Sequence, residues 1–245
     1  MGTHGLSQFE IFFTWQNALL WLRATGITLS MAALGCGLGF ILASLLVYLR
    51  TWPSLLLLPV RLLVVAYVEI FRRIPFLVLI FLVLFGTRAM GLRMELFWVA
   101  CISVTVMATA FIAEIVRAGY ESVHRTQWES AAVMNFGRLR TVLLVVLPQA
   151  WTVIVPPAFS YFVMFIKETS LASQVGVYEL MQTGKYFNNI GVSPALSFGT
   201  TLAIYFALSY PLTRLGWRIE RRLKHRFRRP GGDDGLPTTR VLAGV

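Results

Sequence analysis

Residues 129–148 read ESAAVMNFGRLRTVLLVVLP, a charged and small-residue opening, then Asn135 and Gly137, then a climb into an apolar run that reaches Leu147-Pro148. It opens as a polar interval between two strongly apolar ones, and two turn-prone residues stand near its centre. Such a stretch is a loop between membrane helices, and what it does depends on where the membrane lies and which side the loop faces.

Of the 245 residues, 57% are hydrophobic and 13% charged, against about a quarter charged in an average soluble domain. The composition is that of a membrane protein, and the long charge-free runs make it an all-α integral one. A net charge of +11 raises the possibility of nucleic acid, but the basic residues stand at the ends of apolar runs and are not interleaved with aromatics, so the bilayer is the expected partner and no nucleic acid is. Cys36 and Cys101 both lie inside apolar runs, which indicates packing and neither a disulfide framework nor a metal site. The first ten residues, MGTHGLSQFE, lack the basic region of a cleavable signal, so the chain is expected to be unprocessed.

Five spans are expected. Ala24 to Leu49 is 26 residues without a charge, enough to cross roughly 30 Å of hydrocarbon at about 1.5 Å per residue. The preceding Gln8 to Leu22, with Trp15 and Trp21, suits the headgroup level. Gly35 and Gly39 form a GxxxG pair for close helix packing; no strand precedes them, which removes a nucleotide-loop reading. The second span is short: Ile74 to Thr87 is charge-free, so the helix either ends on a snorkelling Arg88 or begins before Arg73. Pro75 suits the first turn of that helix. Leu96 to Ala113, Thr141 to Ile166 and Pro194 to Thr213 complete the set. The organisation is thus an outer or interfacial segment at 1–23, a five-helix membrane domain at 24–220 with a loop at about 118–147, and a basic tail at 221–245, disordered from about Pro230.

With five spans the termini lie on opposite sides. Seventeen of the 22 lysines and arginines fall on one side, leaving Arg23, Arg88, Arg93, Lys167 and Lys185 on the other, so the positive-inside rule places the N-terminus outside, the C-terminus in the cytoplasm and the Glu129 loop in the cytoplasm. Arg218 to Arg229 suit contact with anionic headgroups.

No GxxxxGK[ST], HExxH or GxSxG motif occurs, and His4, His124 and His225 are scattered, so no enzymatic activity is expected of this chain. Any energy must come from a partner or an ion gradient. Glu129-Ser130-Ala131, followed at a distance by Leu147-Pro148, resembles the EAA loop of ABC transporter permeases. Further blocks extend the resemblance: Tyr67 to Arg72 with Pro75, Ala113 to Arg117, Gln127-Trp128-Glu129, Leu147 to Ala150, Pro156-Pro157 and Lys167 to Ser173. In that order, from about Thr28 to Glu220, they look like the polar amino-acid import permeases of the histidine/glutamate/glutamine/arginine type.

The resemblance implies a type I ABC importer permease core in a bacterial inner membrane. Its implied partners are an ABC ATPase dimer, a second permease subunit identical or related, and an extracytoplasmic substrate-binding protein, with ATP and Mg in the ATPase and no cofactor in this chain. It implies that Glu129, Ser130 and Ala131 dock a short helix into the ATPase. The bend that follows is usually a Gly six residues after the Glu; here that position is Asn135, the next-best residue for a left-handed turn, with Gly137 close by. Leu147-Pro148 would start the fourth span. Departures include Arg73-Ile74 before Pro75, Leu79 where Gln is usual, and Glu168 where Asp is usual, so substrate contact from the second span is not implied.

Two sets of residues are candidates for the substrate path or gate. Pro156-Pro157 interrupts the hydrogen-bond ladder of the fourth span near mid-membrane, either freeing carbonyls for substrate or simply kinking the helix. Lys167, Glu168, Thr169 and Ser170 end that span on the outer side, where charges of both signs match an amino acid or a delivering protein, or else neutralise each other. Glu114 and Arg117, one turn apart, read as a local ion pair. Two other readings remain open: an ABC permease for methionine, opines or compatible solutes, and an ion-coupled carrier without an ATPase. The carrier would carry ionisable residues in mid-span, whereas here they stand mostly at the ends.

Overall fold

Thr14 sets the start of the first helix: its side chain accepts the backbone N–H of Asn17 at 3.4 Å, satisfying one of the donors that a helix start leaves open. In the computed structural model, residue 12, residues 14–52 and residues 55–227 are described, with side chains to 223; the described residues form helices and no strand. Pro53 and the tail beyond Phe227 lie outside them.

Helix α1, Trp15–Arg50, has 36 residues and is longer than expected at its N-terminal end. The described part of the segment read as interfacial, 15–22, is continuous with the first span. Trp21 is no headgroup anchor: it is buried, stacked on Phe187 at 5.4 Å and near Phe12 at 6.1 Å. A partner ring inside the protein outcompetes the interface for it.

The uncertain second span resolves into two 14-residue helices, α2 (Leu58–Phe71) and α3 (Phe76–Ala89). Pro75 is the N-cap of α3 and extended (ψ 137°), one place before the first turn; proline also disfavours helical geometry at Ile74 before it, which separates the helices. Arg88 stands in the last turn of α3, so the helix ends on that arginine and does not begin before Arg73. Arg73 instead pairs with Glu69 at 2.6 Å. At about 1.5 Å per residue α3 covers roughly 21 Å, short of the hydrocarbon core.

Helix α4, Leu96–Glu121, is the most enclosed of the long helices. The rest are α5 (Arg125–Val133), α6 (Arg138–Val175), α7 (Leu180–Asn189) and α8 (Pro194–Phe227). Four helices, α1, α4, α6 and α8, are long and apolar enough to cross a membrane, with α3 as a shorter fifth. The all-helical, multi-span architecture is as expected.

Gly35 and Gly39 do what their spacing predicts. A Cβ at Gly35 would overlap Val104, and one at Gly39 would lie 2.8 Å from the Ala108 Cβ and 3.1 Å from the Thr109 nitrogen, both on α4. Gly37 faces open space. The same substitution should therefore have opposite signs along one turn. We expect Gly35→Ala and Gly39→Ala to lower the thermal midpoint in micelles, each costing about 1–3 kcal/mol by overpacking, while Gly37→Ala holds or raises it through better helix propensity, by up to ~1 kcal/mol.

Candidate functional site

The loop of residues 122–137 is built around α5, a nine-residue helix. Ala131 is its buried anchor, 1% exposed, whereas Glu129, Ser130, Ala132 and Val133 are exposed. The helix thus rests on the body through Ala131 and the half-buried Trp128 and offers its opposite face outward. Glu129 pairs with Arg125 at 2.9 Å, both side chains being largely solvent-exposed. An exposed pair at this spacing contributes about 0.3–0.5 kcal/mol, so Glu129 is free to exchange its partner.

Asn135 makes the bend. It has φ +56°, the one left-handed non-glycine among the described residues. The Phe136 N–H bonds the Ala131 carbonyl at 3.0 Å and the Asn135 N–H that of Ala132 at 2.9 Å, the paired closure that ends a helix on a left-handed residue. Gly137 has φ −62° and caps the next helix; it takes no part in the left-handed turn.

The fourth span starts earlier than Thr141 or Leu147. Helix α6 is continuous from Arg138, and Val142–Val146 within it is wound as a π-helix. Pro148, two residues on, lacks an N–H and its ring crowds the carbonyl four residues back, and the wider turn accommodates both. Leu147-Pro148 therefore lies inside the span and does not start it.

Pro156-Pro157 does not break α6 either: helix Leu147–Glu168 runs through both. The ladder bonds that two prolines cannot donate are lost, to the carbonyls of Thr152 and Val153, but the helical path holds. Pro156 borders a hollow of about 250 Å³ between α6 and α8, with Phe159, Ser160, Lys167 and Glu220.

The four residues 167–170, where α6 passes from α- to tighter 3-10 winding, separate. Lys167 and Ser170 line a mostly apolar cavity of about 390 Å³ with Met181, Phe198, Thr201 and Tyr205. Thr169 is fully buried and donates back to the Ile166 carbonyl at 2.8 Å, so it does not reach the cavity, and Glu168 does not line it. Leu79, the departure on α3, is 3% exposed and belongs to the core. Glu114 and Arg117 are paired at 3.0 Å, and Arg117 also reaches Glu121.

One polar centre escaped the sequence reading. Glu179, fully buried, caps α7 by accepting the Gln182 N–H at 2.9 Å, and its other oxygen accepts from Tyr205 of α8 at 2.7 Å and from Thr28 of α1 at 3.4 Å. An acid directly before an amphipathic helix was the available signal, but nothing in the sequence showed that its partners are Tyr205 on α8 and Thr28, 151 residues away on α1.

The profile of the family described as "binding-protein-dependent transport system inner membrane component" matches residues 35–225. The chain belongs to this family. The permease is 31% identical over 163 residues to the probable glutamine ABC transporter permease protein GlnP of Bacillus subtilis, covering 65% of this chain and 75% of that one. It is 32% identical over 166 residues to the L-cystine transport system permease protein TcyB of the same organism (67% and 71% covered). To the glutamine transport system permease protein GlnP of Escherichia coli it is 28% identical over 220 residues (89% and 99% covered). Among solved structures, an amino acid ABC transporter superposes with a TM-score of 0.76 at 23% identity, over 84% of this chain and 95% of that one. The MetNI methionine ABC transporter gives 0.73 at 25%, over 86% and 99%. The fold is that of the ABC importer permeases, and the permease is a multi-pass inner-membrane transport component.

Two measurements test this geometry. Asn135→Gly should be neutral or mildly stabilising, whereas Asn135→Val should cost about 1–2 kcal/mol because a branched side chain resists the left-handed region; thermal unfolding and the rate of tryptic cleavage at Arg140 report it. Burial raises the Glu179 carboxyl above its ordinary range, outweighing the hydrogen bonds that favour its charged form. A raised carboxyl means the folded state holds its proton more tightly than the unfolded one. Its contribution is complete below the ordinary carboxylate range and declines as pH rises through the raised value. Glu179→Gln, which cannot ionise, should flatten that decline in melts taken from pH 4 to 8.

Proposed function

We propose that this chain is the permease subunit of a binding-protein-dependent ABC importer for polar amino acids. The observation that carries the reading is α5, a short helix held to the body by Ala131, closed by a left-handed Asn135, and presenting a weakly paired Glu129 to solvent. Such a helix suits a docking cleft in another protein better than any role inside this chain. An ATPase dimer grips α5 from each of two permease subunits, identical or related, and supplies the ATP and Mg chemistry that this chain lacks the motifs for. ATP binding closes the ATPase dimer and draws the two loops together, favouring an outward-open pore.

The basic residues support an N-terminus outside and a loop and C-terminus in the cytoplasm. An extracytoplasmic receptor then delivers cargo to the outer side, where Lys167 and Ser170 face the cavity. A lysine there suits the carboxylate of an amino acid, and the glutamine and cystine relatives support a polar cargo. Ionisable side chains concentrated at helix ends favour this reading over an ion-coupled carrier.

Glu129→Lys tests the proposal. Uptake of a radiolabelled amino-acid mixture should fall at least about tenfold, because a reversed charge in a docked contact costs several kcal/mol, and ATP hydrolysis should cease to track transport. Unchanged coupled uptake would refute the role of α5.

A further inference from the structure

Arg138 occupies the first position of α6, where the helix dipole disfavours a cation, so its presence there calls for a compensating partner. The guanidinium carbon lies over two indole rings, 6.0 Å from the centre of Trp52 and 5.7 Å from that of Trp128. Its Nη2 donates to the carbonyl of Thr51, the residue that caps the end of α1. Its Nε is buried with no hydrogen-bond partner among the described residues, which leaves the ring faces and the one carbonyl as its visible attachments. Trp128 directly precedes Glu129 on α5 and itself packs near Tyr120 of α4 at 6.3 Å.

Three elements meet on this one side chain: the end of α1, the loop helix α5 and the start of α6. By sequence, α5 is joined by short connections to α4 and α6; nothing covalent joins it to α1, 75 residues earlier. We propose that Arg138 is a positioning residue for coupling, a clasp that makes α5 and the inner end of α1 move as one body, so that a displacement of α5 reaches the first span. Only arginine serves here, because a planar guanidinium can lie against two rings while its edge donates to a carbonyl, and a lysine ammonium is a point charge on a flexible stem.

The inference rests on the reading of α5 as the ATPase-docking helix, and the test separates the two. In cells expressing the complete transporter, uptake of a radiolabelled L-amino-acid mixture is measured against ATP hydrolysed, with retention of the ATPase on the tagged permease checked by pull-down. Arg138→Lys and Trp52→Leu should each retain the ATPase and lower label imported per ATP about tenfold, the size of effect expected for losing a desolvated cation–π contact. The double variant should be no worse than the more affected single one, because both remove the same clasp. A role limited to folding would lower the amount of permease and leave the ratio within about twofold of wild type. That result for both single variants, beside a defective Glu129→Lys, overturns the clasp and leaves the docking reading standing. A Glu129→Lys variant that behaves as wild type overturns both. If Arg138→Lys is not recovered from membranes, Trp52→Leu decides the outcome by the same ratio.

Discussion

Close backbone approach to α4 is the constraint on which the rest of the permease depends. In lipid, association between helices gains little from the hydrophobic effect, since acyl chains are as apolar as leucine, and shape must supply the attraction. Gly35 and Gly39 bring α1 onto α4 near its middle, and Gly119 near the end of α4 admits Ile154 of α6, where a Cβ would overlap the Ile154 side chain. The central helix is thus met on two sides through missing side chains. Its buried residues include Ala100, Ser103, Ala108, Ala110 and Ala113, so the small-residue rule extends along the shared surface. The position of α6, and with it Pro156 and Lys167, follows from that contact.

Around this frame, the hydroxyls of α4 are satisfied locally. Ser103, Thr105 and Thr109 of α4 each donate to a carbonyl one turn back, which hides a hydroxyl in an apolar setting without a partner helix. Glu179 is satisfied across helices instead. It joins α1, α7 and α8 through one carboxyl, at a place where a buried acid without those donors would be strongly destabilising.

Much of this was legible in the chain. Long charge-free runs gave the spans, because a bilayer leaves so few alternatives for the backbone. Glycine spacing gave a close helix contact on α1, though not its partner α4, and Asn135 at the family's glycine position gave the left-handed turn. Boundaries were read less well, each for a physical reason. Trp21 has the composition of an interfacial residue, but its ring partner, Phe187, is remote in sequence. Pro75 and Pro148 were both assigned to helix starts, and one proved to be a cap and the other an interior residue, since the same missing N–H suits a cap, a first turn or a wider turn. The Lys167 to Ser170 block reads as one unit in sequence, yet four successive side chains on a helix point in different directions, and only Lys167 and Ser170 reach the cavity.

The π-wound stretch Val142–Val146 has a consequence for how this region tolerates change. Each π turn holds about one residue more than an α turn over nearly the same axial path. The chain between Asn135 and the proline pair therefore contains a surplus residue, stored at a point where both flanking segments are already fixed by their own contacts. A one-residue deletion within 142–146 would rewind the stretch as ordinary α-helix and leave Arg138 and Pro156 facing their present neighbours. The same deletion a few turns later would rotate everything beyond it by roughly 100° and carry Lys167 out of its cavity. Length variation among natural relatives has a place to be absorbed here, and little room for it in the helix that follows.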